Sequence, residues 1–318
     1  MYAYVVADDG VVPFRIEGNG SMVRGQVEGS GSVALAINPD NRTLYTVEPG
    51  SDTVNGQITG FRIDPDTGAL SRIDTYATGP SARSVLRHGA QIYVANRAGA
   101  SVSTYTCGPD GELLEPRTQV VNSRPGAMAM DRLGELFCIL HPDAGQIDSY
   151  TVAASTVPGE LTFADSVDTD AAPQWVAVES RFVYVSGLTG GVSIHALGDG
   201  GSLGTASDFA AEGGGGPIVF DPLGRFAFMA NRQDGAVSVF TIDPDTGLLG
   251  SQVLTLLAGT PSSLAIDPTG RFLLVTTSTE HSLAMFAIDQ VTGALSWLGT
   301  SDQTGANPTQ VAIVSFQE

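Results

Sequence analysis

The chain has 318 residues, with 34 acidic groups against 15 basic ones, and every basic group is an arginine, so chemistry that needs a lysine Schiff base is excluded. A formal charge of −19 repels the phosphates of nucleic acids and anionic membranes, and neither is an expected partner. A hydrophobic content of 42%, broken up by 39 glycines and 17 prolines, describes a large apolar core cut into short pieces by turns, which is an all-β composition.

The opening residues MYAYVVADDG contain no basic segment, apolar segment or cleavage motif, and no run of eighteen apolar residues occurs anywhere. A soluble, cytoplasmic protein is expected. Strands are predicted at 2–6 and 11–16. A frame then recurs from Ser32, Pro80, Pro125, Pro173, Pro217, Pro261 and Pro308, at spacings of 44 to 48 residues. Each unit holds apolar runs rich in Val, Ile, Leu, Phe and Tyr. NPDNR at 38–42, DPLGR at 221–225 and DPTGR at 267–271 predict tight hairpins between first and second strands, because Pro fixes φ and Gly or Asn accepts a positive one. DPDTG at 64–68 and 243–247, and DQVTG at 289–293, predict hairpins between third and fourth strands. The DPDTG at 64–68 is not a calcium loop, since Thr75 stands where a bidentate Glu is required. Cys107 and Cys138 have no CxxC spacing and are expected to be bystanders.

Four short strands per unit at this period predict a seven-bladed β-propeller of four-stranded antiparallel blades. It forms a single domain over 1–318. The last unit supplies one strand, at 309–316, while the chain begins with what read as second and third strands. The seventh blade is therefore shared between 1–31 and 308–318, and the ring closes by pairing the two ends, which removes the open edge.

The segments VFDPLGRFAFMAN at 219–231, AVSVFTID at 236–243 and DTGLL at 245–249 resemble those of the lactonase-type seven-bladed propellers, the family of 6-phosphogluconolactonases and carboxymuconate cyclases. The resemblance runs over essentially the whole chain and implies the scaffold. In the cyclase branch a His follows the Pro that opens a middle blade, an Arg-His pair opens the next, and an Asn-Glu step ends its second strand. Here the matching places hold Gln174, Gly216-Pro217 and Asn231-Arg232. The cyclase residues are therefore not carried over.

In this connectivity the loops entering first strands and those joining second to third strands share one face, around the channel mouth, where ligands bind. The second set reads Ala7-Asp8, Glu48-Pro49, Asn96-Arg97, Leu140-His141, Gly187-Leu188, Asn231-Arg232 and Thr277-Ser278; the entering loops add Arg83, Arg124, Gln174 and Trp175. Arginine holds carboxylate or phosphate bidentately, so Arg83, Arg97 and Arg124, with Gln174, Trp175 and Asp8, are the expected substrate-binding groups. His141 and Glu48 are the candidate proton-transfer pair, with Arg232 stabilising developing charge. His141 equally reads as a structural hydrogen-bonding residue. His88 is expected on the opposite face, His195 within a third strand, and His281 near the mouth. No metal site or cofactor is predicted. The expected function is opening, closing or isomerising a lactone-type ring of a small carboxylated or anionic molecule, by a monomer. The alternatives are a non-catalytic propeller that binds a small anion or a protein, and a scaffold recruited to a biosynthetic cyclisation.

Overall fold

A computed structural model describes residues 1–17, 20–38, 42–152, 157–169, 173–188, 191–209, 215–301 and 304–316. Seven four-stranded antiparallel sheets succeed one another along the chain, and a 3-10 turn at Asp199–Gly201 is the one helical element among the described residues. The first strands are Ala34–Asn38, Ala82–His88, Met128–Met130, Pro173–Glu179, Ile218–Phe220, Pro261–Ile266 and Gln310–Val314. Each touches the first strand of the next blade, all the way round, so these seven enclose the central channel. The ring closes where Gln310–Val314 pairs antiparallel with Tyr2–Ala7, setting Val311 against Val5. Both ends of the chain thus meet in one sheet, whose outermost strand is Met22–Arg24.

The apolar runs in the second strands follow from burial on both faces. Along Leu136–His141, Phe137 and Ile139 pack toward the second blade while Cys138 and Leu140 pack toward the fourth. Along Phe182–Gly187, Val183 and Val185 face the third blade and Tyr184 the fifth. Alternating side chains therefore all end in an apolar layer, and no polar residue is needed until the strand ends. Each of the seven blade interfaces carries its own hydrophobic cluster among the described residues.

The turn chemistry is local. Asp267 Oδ1 accepts the backbone N–H groups of Arg271 (2.8 Å) and Phe272 (2.7 Å), and Asp221 braces the equivalent hairpin in the fifth blade. Of the predicted turn at 38–42, residues 39–41 lie outside the described residues. Between third and fourth strands, Asp64, Asp243 and Asp289 accept the following backbone N–H groups, which holds each carboxyl below its usual range. These turns also clamp the ring. Tyr4, Tyr45 and Tyr184 donate to the carbonyls of Gly68 (3.0 Å), Gly111 (2.9 Å) and Gly247 (2.8 Å) in the next blade.

Gly247 has φ +70°, and a Cβ there would stand 2.3 Å from the Phe182 ring, which belongs to the neighbouring blade. Gly247→Ala is expected to lose about 2–4 kcal/mol in urea unfolding, since strain and overpacking combine. Gly89→Ala, at φ +54° but facing open space, is expected to lose only about 1 kcal/mol. Equal losses at the two sites would show that the interblade clash is relieved at no cost.

Both cysteines are free and buried. Burial, with the Asp131 charge adding to it, pushes the Cys138 thiol up to about 12, which keeps it protonated and unreactive at neutral pH. Cys107 Sγ lies 2.7 Å from the Tyr45 hydroxyl. Among the described residues no helix is long and apolar enough to cross a membrane.

Candidate active site

At one mouth of the channel all seven blades contribute to a chamber of about 460 Å³, within the size range of small-molecule sites. Ala34, Ser84, Ala127, Pro217, Ser263 and Gln310 stand for six of the blades on its wall; the fourth blade supplies Gln174 and Trp175, and the second also supplies Arg83 and Arg97. The wall is braced from blade to blade. Ser84 Oγ donates to the Gly126 carbonyl (2.7 Å), Ser262 Oγ to that of Pro308 (2.6 Å), and Leu35 N to Gln310 Oε1 (2.7 Å). Such contacts fix the lining before any ligand arrives.

The two arginines are set by one local device. Asn96, the last residue of Gln91–Asn96, is fully buried; its Oδ1 accepts Gly79 N (2.9 Å) and its Nδ2 donates to Ser103 Oγ (2.9 Å). Arg97 N then donates to the carbonyl of Ser81, a non-glycine residue at φ 53°. The loop that enters the second blade is thereby pinned against the connector between its second and third strands, placing Arg83 and Arg97 on one wall. Arg97 Nη2 donates to Asp143, half-exposed at the rim. Arg83 is exposed and has no partner among the described residues. The described residues lining the chamber therefore include two guanidinium groups and no carboxylate, and since Asp143 at the rim offsets Arg97, the unbalanced positive charge is that of Arg83, in a molecule of charge −19.

Register explains which connector residues reach the mouth. The last residue of a second strand points into the blade and bonds to the third strand: Asn96 to Ser103, Asn231 to Ser238 (2.5 Å), Thr277 to Ser282 (2.7 Å) and His141 to Asp148 (3.0 Å). The following residue, on the alternate side, faces the mouth, as Arg97, Pro142, Arg232 and Ser278 do.

This corrects the expectation for His141. Its imidazole is 0% exposed, Pro142 takes the place at the mouth, and Nε2 is committed to Asp148. Asp148 Oδ2 also accepts Asn122 Nδ2 (2.9 Å) and the Tyr150 hydroxyl (3.2 Å), while Oδ1 accepts Ser166 Oγ (2.7 Å). Burial works to raise the Asp148 carboxyl, but the hydrogen bonds from His141, Ser166 and Asn122 outweigh it and hold the group below its usual range. Glu48 ends its strand at the same inward register, is half-buried, and does not line the chamber. The expected His141 and Glu48 proton-transfer pair is thus not assembled at the mouth.

Arg83, Arg97, Gln174 and Trp175 are brought together. Arg232 lies beside them: its Nη1 donates to the Pro261 carbonyl (3.2 Å), its guanidinium stands 6.0 Å from the Trp175 ring centre, and it lines an adjoining recess of about 290 Å³. Asp8 is exposed and one hydrogen bond removed from that recess, accepting Asn307 Nδ2 (2.6 Å). Arg124 is exposed and lines neither space. His281 Nδ1 accepts Asn307 N (3.2 Å), His195 is buried against the Gly204 carbonyl, and His88 packs on Gly134 at the far end of its blade. Among the described residues no three His, Cys, Asp or Glu side chains converge as a metal site. Asp143, Thr309 and Gln310 were not picked out from sequence. The one available signal was their position one or two residues past the aligned connector and entering-loop positions.

A seven-bladed propeller with a basic chamber at one channel mouth is the class these features define. The chain belongs to the lactonase family of seven-bladed β-propellers, whose model matches residues 10–132 and 201–313. Among solved structures, it is similar to the periplasmic gluconolactonase of Pseudomonas aeruginosa (25% identity, 98% of each chain covered, TM-score 0.81). It is also similar to provisionally assigned 6-phosphogluconolactonases from Bacteroides fragilis (21% identity, 98% of this chain and 96% of that one, TM-score 0.82) and Bacteroides uniformis (18% identity, 98% of each, TM-score 0.83). At those last identities the likeness is one of fold. No functionally curated protein matches the sequence.

Proposed function

We propose that the protein, acting as a monomer, hydrolyses the lactone ring of a small molecule that carries an anionic group, at the channel-mouth chamber. The observation that carries this reading is the pairing of Arg83 and Arg97 on one wall of a chamber with no carboxylate among its described lining residues. Family membership and the gluconolactonase among the similar structures support lactone chemistry.

In the reaction, a water oxygen adds to the ring carbonyl carbon as the C=O π pair moves onto oxygen. The tetrahedral oxyanion then collapses, the acyl–oxygen ring bond breaks, and the ring oxygen takes a proton to give a hydroxy acid. Arg83, unpaired, is assigned to the developing oxyanion, where a fixed cationic donor acts most strongly. Arg97 offers its other N–H groups to the substrate's anionic group and orients Asp143, which is assigned to accept the proton from water. Gln174 and Trp175 hold the ring by hydrogen bonding and contact. Ring closure would use the same groups in reverse.

A second reading, binding without turnover, is favoured by one observation: neither an imidazole nor a carboxylate is among the described residues that line the chamber. A panel of carboxylated lactones, followed by acid release at constant pH and by thermal unfolding, separates the two. Hydrolysis is expected for at least one compound that stabilises the fold. Stabilisation without any acid release would decide for binding alone.

A further inference from the structure

The chamber does not end at its own wall. The recess holding Arg232 shares Gln174, Trp175, Ser262 and Thr309 with it, so the two are compartments of one cleft. The recess exposes the larger share of apolar surface, from Trp175, Leu188 and Pro308, beside the polar groups of Arg232, Ser278 and Asn307 and those it shares with the chamber. Leu188 is 50% exposed, an apolar side chain left in contact with water beside the indole. Arg232 has one terminal nitrogen on the Pro261 carbonyl and holds its guanidinium over Trp175, so its plane stands beside the indole, while its remaining N–H groups are what a titration with adipate reads. There it acts as a planar wall that tolerates an aromatic face.

We infer that the cleft takes a two-part ligand: an anionic head in the chamber and an apolar, preferentially aryl, substituent in the recess, with Trp175 and Leu188 as the residues that select it. This rests on the chamber being the binding site, and it makes the substrate class an aryl- or alkyl-substituted carboxylated lactone in place of a fully hydroxylated one. Hydroxyls turned toward Leu188 and Pro308, away from the polar part of the lining, would lose water without gaining a partner, which costs affinity. A phenyl group displaces that water and covers apolar surface on both sides.

The test uses binding, so it is independent of turnover. Calorimetric titration of the whole protein with butyrate, 4-phenylbutyrate and adipate reads each part of the cleft. We expect 4-phenylbutyrate to bind at least tenfold more tightly than butyrate. That ratio should collapse to within threefold in Leu188→Asp, an exposed position where folding is not at risk, and in Trp175→Ala. In Arg83→Gln both acids should weaken together with the ratio retained. A ratio near one in the unaltered protein, with Arg83 still required, would overturn the inference and leave the chamber reading in place. So would adipate binding more tightly than 4-phenylbutyrate by a margin that disappears in Arg232→Gln, which marks the recess as an anion site. Binding that is indifferent to Arg83→Gln would instead remove the chamber reading beneath it.

Discussion

Arg83→Gln is expected to lower kcat/KM on a carboxylated lactone by about 100-fold, with most of the loss in kcat, while thermal stability stays within about 0.5 kcal/mol of the unaltered protein. The split follows from geometry. Arg83 is exposed and holds no other described group, so removing its charge releases nothing structural. With a lactone its contribution is largest for charge that develops on the ring carbonyl, and an interaction stronger in the transition state than in the bound lactone shows mainly in kcat, whereas a free carboxylate already carries the charge that Arg83 holds. Arg97→Gln is expected to lose a similar factor, spread over kcat and KM, because that guanidinium both faces the ligand and orients Asp143. Arg124→Gln, at an exposed position outside the chamber, is the control and is expected to change neither. Steady-state kinetics on the three variants, with unfolding curves alongside, check all of this. Equal activity in Arg83→Gln and Arg124→Gln would detach catalysis from the chamber.

The second large effect concerns stability. Asp148→Ala is expected to cost about 2–3 kcal/mol, because it strips the acceptor from the buried His141 Nε2 and Tyr150 hydroxyl, while Asn122 Nδ2 and Ser166 Oγ, on exposed residues, can turn to water. His141→Ala is expected to be destabilising as well, with kcat per folded molecule unchanged. The acid limb of the stability curve carries the sign. Since the folded Asp148 carboxyl lies below its unfolded value, its contribution is complete above the ordinary carboxylate range, near pH 4, and is lost as pH falls through the lowered folded value. Asp148→Asn should therefore unfold with a flatter dependence on pH below about 4 than the unaltered protein. A parallel acid limb would mean that the carboxylate is not held in its charged form by these partners.

The architecture was legible because its signals are local. The recurring proline and the Asp-Gly hairpins state where strands begin and turn, and the doubly buried second strands leave unbroken apolar runs such as FCIL at 137–140. Ring closure could be read from the unequal ends alone, and the pairing of Gln310–Val314 with Tyr2–Ala7 bears it out. The mouth was legible only to within one residue. Aligning connectors identifies a two-residue step in each blade, but which member of the step faces the ligand depends on the pleat at the strand's last bond. His141 falls on the inward member and Arg97 on the outward one, although both look alike as polar residues after an apolar run. Asp143 and the recess depend on how loops from different blades lean on each other, as Arg232 does on Pro261, and no single blade encodes that.

The most direct test is a crystal structure of the protein soaked with the hydroxy acid product of whichever carboxylated lactone it turns over. The account predicts the product carboxylates within hydrogen-bonding distance of Arg83 and Arg97, with the body of the molecule against Gln174 and Trp175. Product bound at another face of the ring, with the chamber occupied by water alone, would contradict it.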